Sequence, residues 1–275
     1  LLTLSLPFHE VTSQMPAPLF RLERLPLLIF FLLFATVIIL YIRWAKKGES
    51  LFIRKIAGLE AIEEAVGRAT EMGKPVLFVP GIQELDDMQT IAAVSILGRV
   101  ARITAQYETQ IIVPVNYPLV LAASQEVIEQ AYKEAGHDDS VNRDAVRYVA
   151  GEQMALAAAI NGIITRERPA ANILMGAFFA ESLLIAETGY AAGSIQIAGT
   201  AEPEQLPFFI ASCDYTLMGE ELYAASSYLS REPVLLGGLK GLDFMKIFLV
   251  FLIIIGTVLM TIGAGDWLRS LLMAE

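Results

Sequence analysis

The sequence predicts an α/β fold: a doubly wound, mostly parallel sheet flanked by two transmembrane helices. Three observations predict it. Two uncharged apolar runs of about 18 residues, the length that crosses hydrocarbon, stand near the two ends. Between them, short Val- and Ile-rich runs alternate with longer helical stretches. Nearly every short run is followed by glycine or a small polar residue, the punctuation expected where strand gives way to helix.

The first apolar run, Leu25 to Ile42, reads LPLLIFFLLFATVIILYI. Each central Leu, Ile or Phe favours insertion by roughly 0.3–0.6 kcal/mol. A core helix seldom runs so far without a polar residue. A cleaved leader would be followed by small residues, whereas Arg43, Trp44, Lys46 and Lys47 follow here. The second run, Ile247 to Ala264, reads IFLVFLIIIGTVLMTIGA and is bracketed by Lys246 and Asp266. Gly256 and Gly263 fall a heptad apart in it, on a face suited to close helix packing.

Positive charge gives the spans a direction. Arg43, Lys46, Lys47, Arg54 and Lys55 follow the first span, against Arg21 and Arg24 before it. Lys240 and Lys246 precede the second, against Arg269 after it. Both comparisons put the central region in the cytoplasm and both termini outside. The expected organisation is an irregular lead over 1–24 with Pro7, Pro16 and Pro18, and a span over 25–42. A juxtamembrane linker over 46–57 leads to a cytoplasmic α/β domain over 58–230. A linker over 231–246, a span over 247–264 and a short tail over 265–275 complete it.

Within 58–230 the expected strands are VLFV at 76–79, IIVPV at 111–115, VRYVA at 146–150, NILMG at 172–176 and SIQIA at 194–198, with PFFIA at 207–211 as a sixth. Their apolar character on both faces suits strands covered on both sides. Helices are expected over about 58–72, 84–107, 119–135, 152–166, 178–189 and 217–229. The alternation is Rossmann-like. A closed barrel needs eight strands, more than this stretch contains. Small-residue helices such as MALAAAINGII at 154–164 suit tight internal packing or a subunit interface.

Composition removes several functions. Lys and Arg number 20 and Asp and Glu 30, so the formal charge is −10 over 275 residues. An acidic balance argues against nucleic acid as a partner. A single cysteine, Cys213, forms no internal disulfide, and two histidines with one cysteine assemble no zinc site. No GxGxxG turn supports NAD and no GxxxxGK[ST] loop supports ATP. GxSxG is also missing. The cofactor is therefore unknown.

In an open α/β sheet, ligands bind beyond the carboxyl ends of the strands. The residues at those ends are Gly81, Asp86, Asp87, Asn116, Glu152, Gly176, Glu181, Gly199 and Thr200, with Ser212 to Tyr215 after the sixth run. They form the candidate crevice. Asp86, Asp87 and Glu181 are candidates to hold a divalent cation through oxygen. The competing reading of acids at helix starts is dipole stabilisation, worth roughly 0.3–1 kcal/mol each. Glu181 stands apart, because it lies in the apolar stretch FFAESLLIAE and is costly to bury unpaired. Cys213 is read as a buried small hydrophobe, with a nucleophile as the alternative.

The stretches EAVGRATEMGKPVLFVPGIQELDDMQTIAAVSILGRVARI and MGAFFAESLLIAETGYAAGSIQIAGTAEPEQLPFFIASCDYTLMGEELYAASSYLS resemble a family of uncharacterised prokaryotic membrane proteins, classed as a domain of unknown function. The resemblance implies two transmembrane helices flanking a Rossmann-like cytosolic domain, and no activity. Two functional readings stand. One is a membrane-anchored module that binds a ligand or assembles as a scaffold, with its own copies or with another membrane protein. The other is a divalent-cation-dependent enzyme acting on a polar or phosphorylated small molecule in an acidic crevice. Transport is disfavoured, since neither span carries an ionisable residue.

Overall fold

In a computed structural model, the chain is described over residues 25–47, 57–137, 142–230 and 233–263. The expected lead over 1–24, most of the 46–57 linker and the 265–275 tail lie outside the described residues. The chain divides into two compact units, Leu1–Tyr41 with Gly241–Glu275, and Ile42–Lys240.

The first unit holds most of helix α1 (Leu25–Lys46) and most of the last described helix, α9 (Pro233–Thr261). Both are long and apolar enough to cross a membrane. They are almost wholly uncovered, with 0% and 6% of their apolar windows buried. One feature differs from expectation. Residues 233–246, expected as a linker, are the first turns of α9. Gly241 in that stretch packs closely, since a Cβ there would stand 3.1 Å from the Ile38 Cα. One turn on, the rings of Tyr41 and Phe244 meet at a tilt of 42° with centroids 6.0 Å apart. Gly263 lies past the helix end with φ +74°.

The second unit is a doubly wound sheet. Strands β1 (Val76–Val79), β2 (Ile111–Val115), β3 (Val146–Tyr148), β4 (Ala171–Met175), β5 (Ile195–Thr200) and β6 (Tyr215–Met218) pair in parallel in the order β3-β2-β1-β4-β5-β6. This is the strand order of the doubly wound Rossmann sheet. Helices α2 (Ala57–Met72), α3 (Met88–Gln106), α4 (Pro118–Ala135) and α8 (Glu220–Ser230) bury one face, through Ile62, Ile96, Leu97, Ile128 and Leu222. Helices α5 (Gln153–Glu167), α6 (Glu181–Ala192) and α7 (Leu206–Ser212) bury the other, through Leu156, Ile160, Ile185 and Phe209. The strands serve both cores. Val76 and Phe78 face the first, while Leu77 and Val79 face the second. Each such side chain fully removed from water contributes about 1.5–3 kcal/mol.

The strand ends follow local chemistry. Pro114 sits inside β2 without an N–H to give, yet the β1–β2 pairing ends at Ile112, before it. β2 continues only against β3, from Val113 to Val115. Pro118 opens α4 and Gly136, at φ +80°, closes it.

The sixth strand is a correction. PFFIA at 207–211 is not a strand but part of α7, and the strand is Tyr215–Met218, where a helix was expected to begin. From Gln205 just before α7 through Phe209 within it to Cys213 just after it, the inward positions fall four apart, the last two against the same core. That is a helical period. The apolar run is too short to tell the two states apart by hydrophobicity alone. β6 escaped notice because it is an edge strand. Only Leu217 is buried, and Tyr215 and Met218 face solvent. Ser212 to Asp214 therefore lie at the amino end of the sixth strand, outside the carboxyl edge.

Candidate functional site

β1 and β4 lie side by side at the centre of the sheet, and the chain leaves them toward opposite faces, to α3 and to α6. At such a switch point an open sheet commonly opens a crevice. Here the two loops close on each other. The Ile82 N–H donates to the Ala177 carbonyl at 3.0 Å, and the Gly176 N–H donates to the Gly199 carbonyl at 2.9 Å. Gly81 and Gly176 hold φ of +83° and +124°. A Cβ on Gly81 would stand 2.7 Å from the Ala177 carbonyl oxygen, and one on Gly176 would stand 2.6 Å from that of Pro80. The close approach that these glycines permit is thus made by the neighbouring loop.

Side chains complete the closure. Asn116, after β2, donates through Nδ2 to the Ile82 carbonyl at 2.8 Å and is itself buried. Phe178 is fully buried beneath the loop and meets Phe209 of α7 edge to face, with centroids 5.4 Å apart. Gly199 faces the Met175 sulfur and the Leu217 Cβ, so it too is spent on packing.

The acidic candidates take separate posts. Asp87 caps α3, its Oδ1 accepting from the Gln89 N–H at 2.7 Å and the Thr90 N–H at 3.3 Å. Glu152 caps α5 by accepting from the Ala155 N–H at 2.8 Å. Asp86 is exposed. Glu181 is wholly buried at the start of α6. Its Oε1 accepts from the Phe179 N–H at 2.8 Å, and its Oε2 accepts from the Gln153 side-chain amide. The helix N-terminus and two donors thus stabilise the buried carboxylate. Among the described residues, no three His, Cys, Asp or Glu side chains gather closely enough to hold a metal ion. Asp86, Asp87 and Glu181 are therefore not brought together.

The densest polar group at this edge centres on a residue the sequence reading passed over, Gln89. It is buried near the start of α3. Its Nε2 donates to Glu202 at 2.8 Å, and its Oε1 accepts from the Ala201 N–H at 2.7 Å and from the Thr200 hydroxyl at 3.3 Å. It clips the end of β5 to α3. Tyr223 of α8 lies within electrostatic reach of Asp87 and of Glu202, the partner of Gln89. Burial raises the Tyr223 phenol above its ordinary value, and the carboxylates of Asp87 and Glu202 raise it further. A second buried pair, Ser182 donating to Gln205 at 2.7 Å, ties α6 to the residue preceding α7. No local pattern marks Gln89, because its partner Thr200 is 111 positions away.

The surroundings of Cys213 disfavour its thiolate. Burial, and then the nearby Asp214 carboxylate, push its thiol up to about 12, so the thiolate that would react is suppressed. Two clefts lie elsewhere. One of about 350 Å³ runs beside Glu108, Tyr132 and His137, and one of about 240 Å³ beside Gln125, Glu129 and Asn142. Neither is lined by a residue of the strand-end set.

A protein-family model described as a domain of unknown function (DUF6754) matches residues 16–271. No curated protein and no solved structure matches the chain.

Proposed function

The chain belongs to the DUF6754 family, a domain of unknown function, and we propose that it is a membrane-anchored assembly module rather than a catalyst. The observation that carries this reading is the closed switch point. The β1 and β4 loops bond to each other, Ile82 N–H to the Ala177 carbonyl, over buried Phe178, at the place where a sheet of this order takes its ligand. The carboxylates that an acidic catalytic crevice would need are employed as helix caps or stand apart. Large apolar side chains stand exposed on its outer helices.

In this reading α1 and α9 span the bilayer. Arg43, Lys46 and Lys47 hold the α/β domain on the cytoplasmic side, with both termini outside. The setting is a prokaryotic cell membrane, on the strength of the family resemblance. The domain then acts as a scaffold that recruits other chains to the membrane.

Native mass spectrometry of the full chain, extracted from its own membrane in lipid nanodiscs, tests the proposal. A complex with at least one further protein chain is expected. A strict monomer at every protein concentration overturns it. Thermal unfolding with Mg²⁺ or Mn²⁺ at millimolar concentration tests the cation-dependent enzyme, and an unchanged midpoint is expected.

A further inference from the structure

We propose that the outer face of α6 and α7 docks a different protein, one presenting an apolar patch rimmed by Lys and Arg. The inference rests on the assembly reading and names the partner's chemistry. α6 is apolar on both sides. Ile185 and Ala186 are buried against the sheet, while Leu183 and Leu184 on the outside are 39% and 46% exposed. Leu183 and Leu184 are thus left uncovered on the solvent side of a helix whose other side is already packed. The adjoining α7 repeats the arrangement, with Phe209 buried and Phe208 and Ile210 exposed by 38% and 56%. Large apolar side chains clustered on neighbouring helices mark interaction surfaces more often than chance exposure does.

Charge selects among the occupants. Residues 169–230, which build β4 to α8, hold seven carboxylates and no Lys, Arg or His. Residues 57–168, the other half of the same domain, hold sixteen Asp and Glu but intersperse nine Lys and Arg among them. Glu187 is exposed and lies one turn along α6 from Leu183 and Leu184, and Glu204 is exposed just before α7. The apolar face is thus rimmed by negative charge with no cation of its own segment to balance it. An anionic bilayer surface would be repelled by this rim. A second copy meeting the face two-fold would set Glu187 and Glu204 against their own likes. A cationic rim around an apolar centre on another protein is complementary in both respects.

A photo-reactive residue placed at Leu184 or Ile210 of the full chain, and irradiated in intact membranes, tests the proposal; the same residue at exposed Tyr107, just past the end of α3, is the control. The expected result is an adduct from both α-face positions and none from the control. Its cross-linked peptide, identified by mass spectrometry, should come from another protein and combine apolar residues with Lys or Arg. Glu187→Lys with Glu204→Lys should abolish the adduct while the far-ultraviolet spectrum stays unchanged. Adducts to a second copy or to lipid, no adduct at either position, or an adduct indifferent to the charge reversal would each overturn it. Loss of cross-linking with higher-order complexes still seen by native mass spectrometry would sink this inference alone. A strict monomer would sink the assembly reading beneath it.

Discussion

Gly81 and Gly176 face each other across the centre of the sheet, the Gly81 Cα standing 3.2 Å from where a Cβ on Gly176 would be. Both have positive φ, and each is pressed against the backbone of the other's loop. The pair seals the switch point, and a side chain at either position pushes against atoms that have nowhere to go.

Gly81→Ala and Gly176→Ala should therefore each cost at least about 3 kcal/mol, the sum of a left-handed backbone penalty and a backbone clash. Gly193→Ala is the matched control. Its φ is +74° but nothing lies within 4 Å of an added Cβ, so about 1 kcal/mol is expected. Thermal unfolding should show midpoints lower by roughly 6–12 °C for the first two and roughly 2–4 °C for the third. Equal losses at all three would mean that the loops are not interlocked.

Gln89→Glu keeps the acceptor that holds the Ala201 N–H but sets a carboxylate against Glu202. A loss of about 2 kcal/mol is expected at neutral pH. The mutual repulsion raises the folded-state pKa of one member above its unfolded value. Stability of the variant is then greatest below that unfolded value and falls as pH rises through the folded one. Chemical denaturation from pH 4 to pH 8 should show the gap to wild type widening upward (about 4.3 is the unperturbed carboxyl). A pH-independent gap would contradict the repulsion.

Cys213 should be slow to alkylate. With its thiol pushed up to about 12 from 9.0, the thiolate fraction at pH 8 is about a thousandth of that of an unperturbed thiol. Iodoacetamide labelling of the folded chain should run at least about 100-fold slower than in the unfolded chain. The raised value also means that stability falls as pH climbs from 9.0 toward about 12, where the unfolded state loses its proton first. Comparable labelling rates in the two states would refute the burial argument.

Gly241 should control the crossing of α1 and α9. In a Cys213→Ala background, Tyr41→Cys with Phe244→Cys replaces two rings whose centroids are 6.0 Å apart. A short thiol–thiol cross-linker should join them. Gly241→Ile should abolish the product, because a Cβ at 241 already stands 3.1 Å from the Ile38 Cα and a larger side chain forces the helices apart. An undiminished yield would show that the close approach is unimportant.

Much of the fold was legible in the sequence where the information is local. VLFV and IIVPV became β1 and β2 at the expected residues, since an all-apolar run bounded by polar punctuation has few other uses. PFFIA failed the same logic, because five apolar residues suit a short buried helix as well as a strand, and the true edge strand YTLM has only one buried residue. The candidate site was legible as a set of positions and not as a function. The reading found Asn116, Gly176 and Glu181 at the strand ends, yet had no means of seeing that Asn116 would bond to the β1 loop or that Glu181 would be satisfied by Gln153.

The sequence by itself determined two apolar helices, the doubly wound alternation between them and the acidic character of the chain. Those properties depend on composition and on periods of a few residues, which folding does not alter. Only the tertiary structure decided that the β1 and β4 loops bond to each other, that Asp87 and Glu152 are caps, that Gln89 joins α3 to β5, and that α6 leaves Leu183 and Leu184 uncovered. Each of these depends on which loop meets which across the sheet, between residues as far as 113 positions apart, and no local pattern records such a meeting.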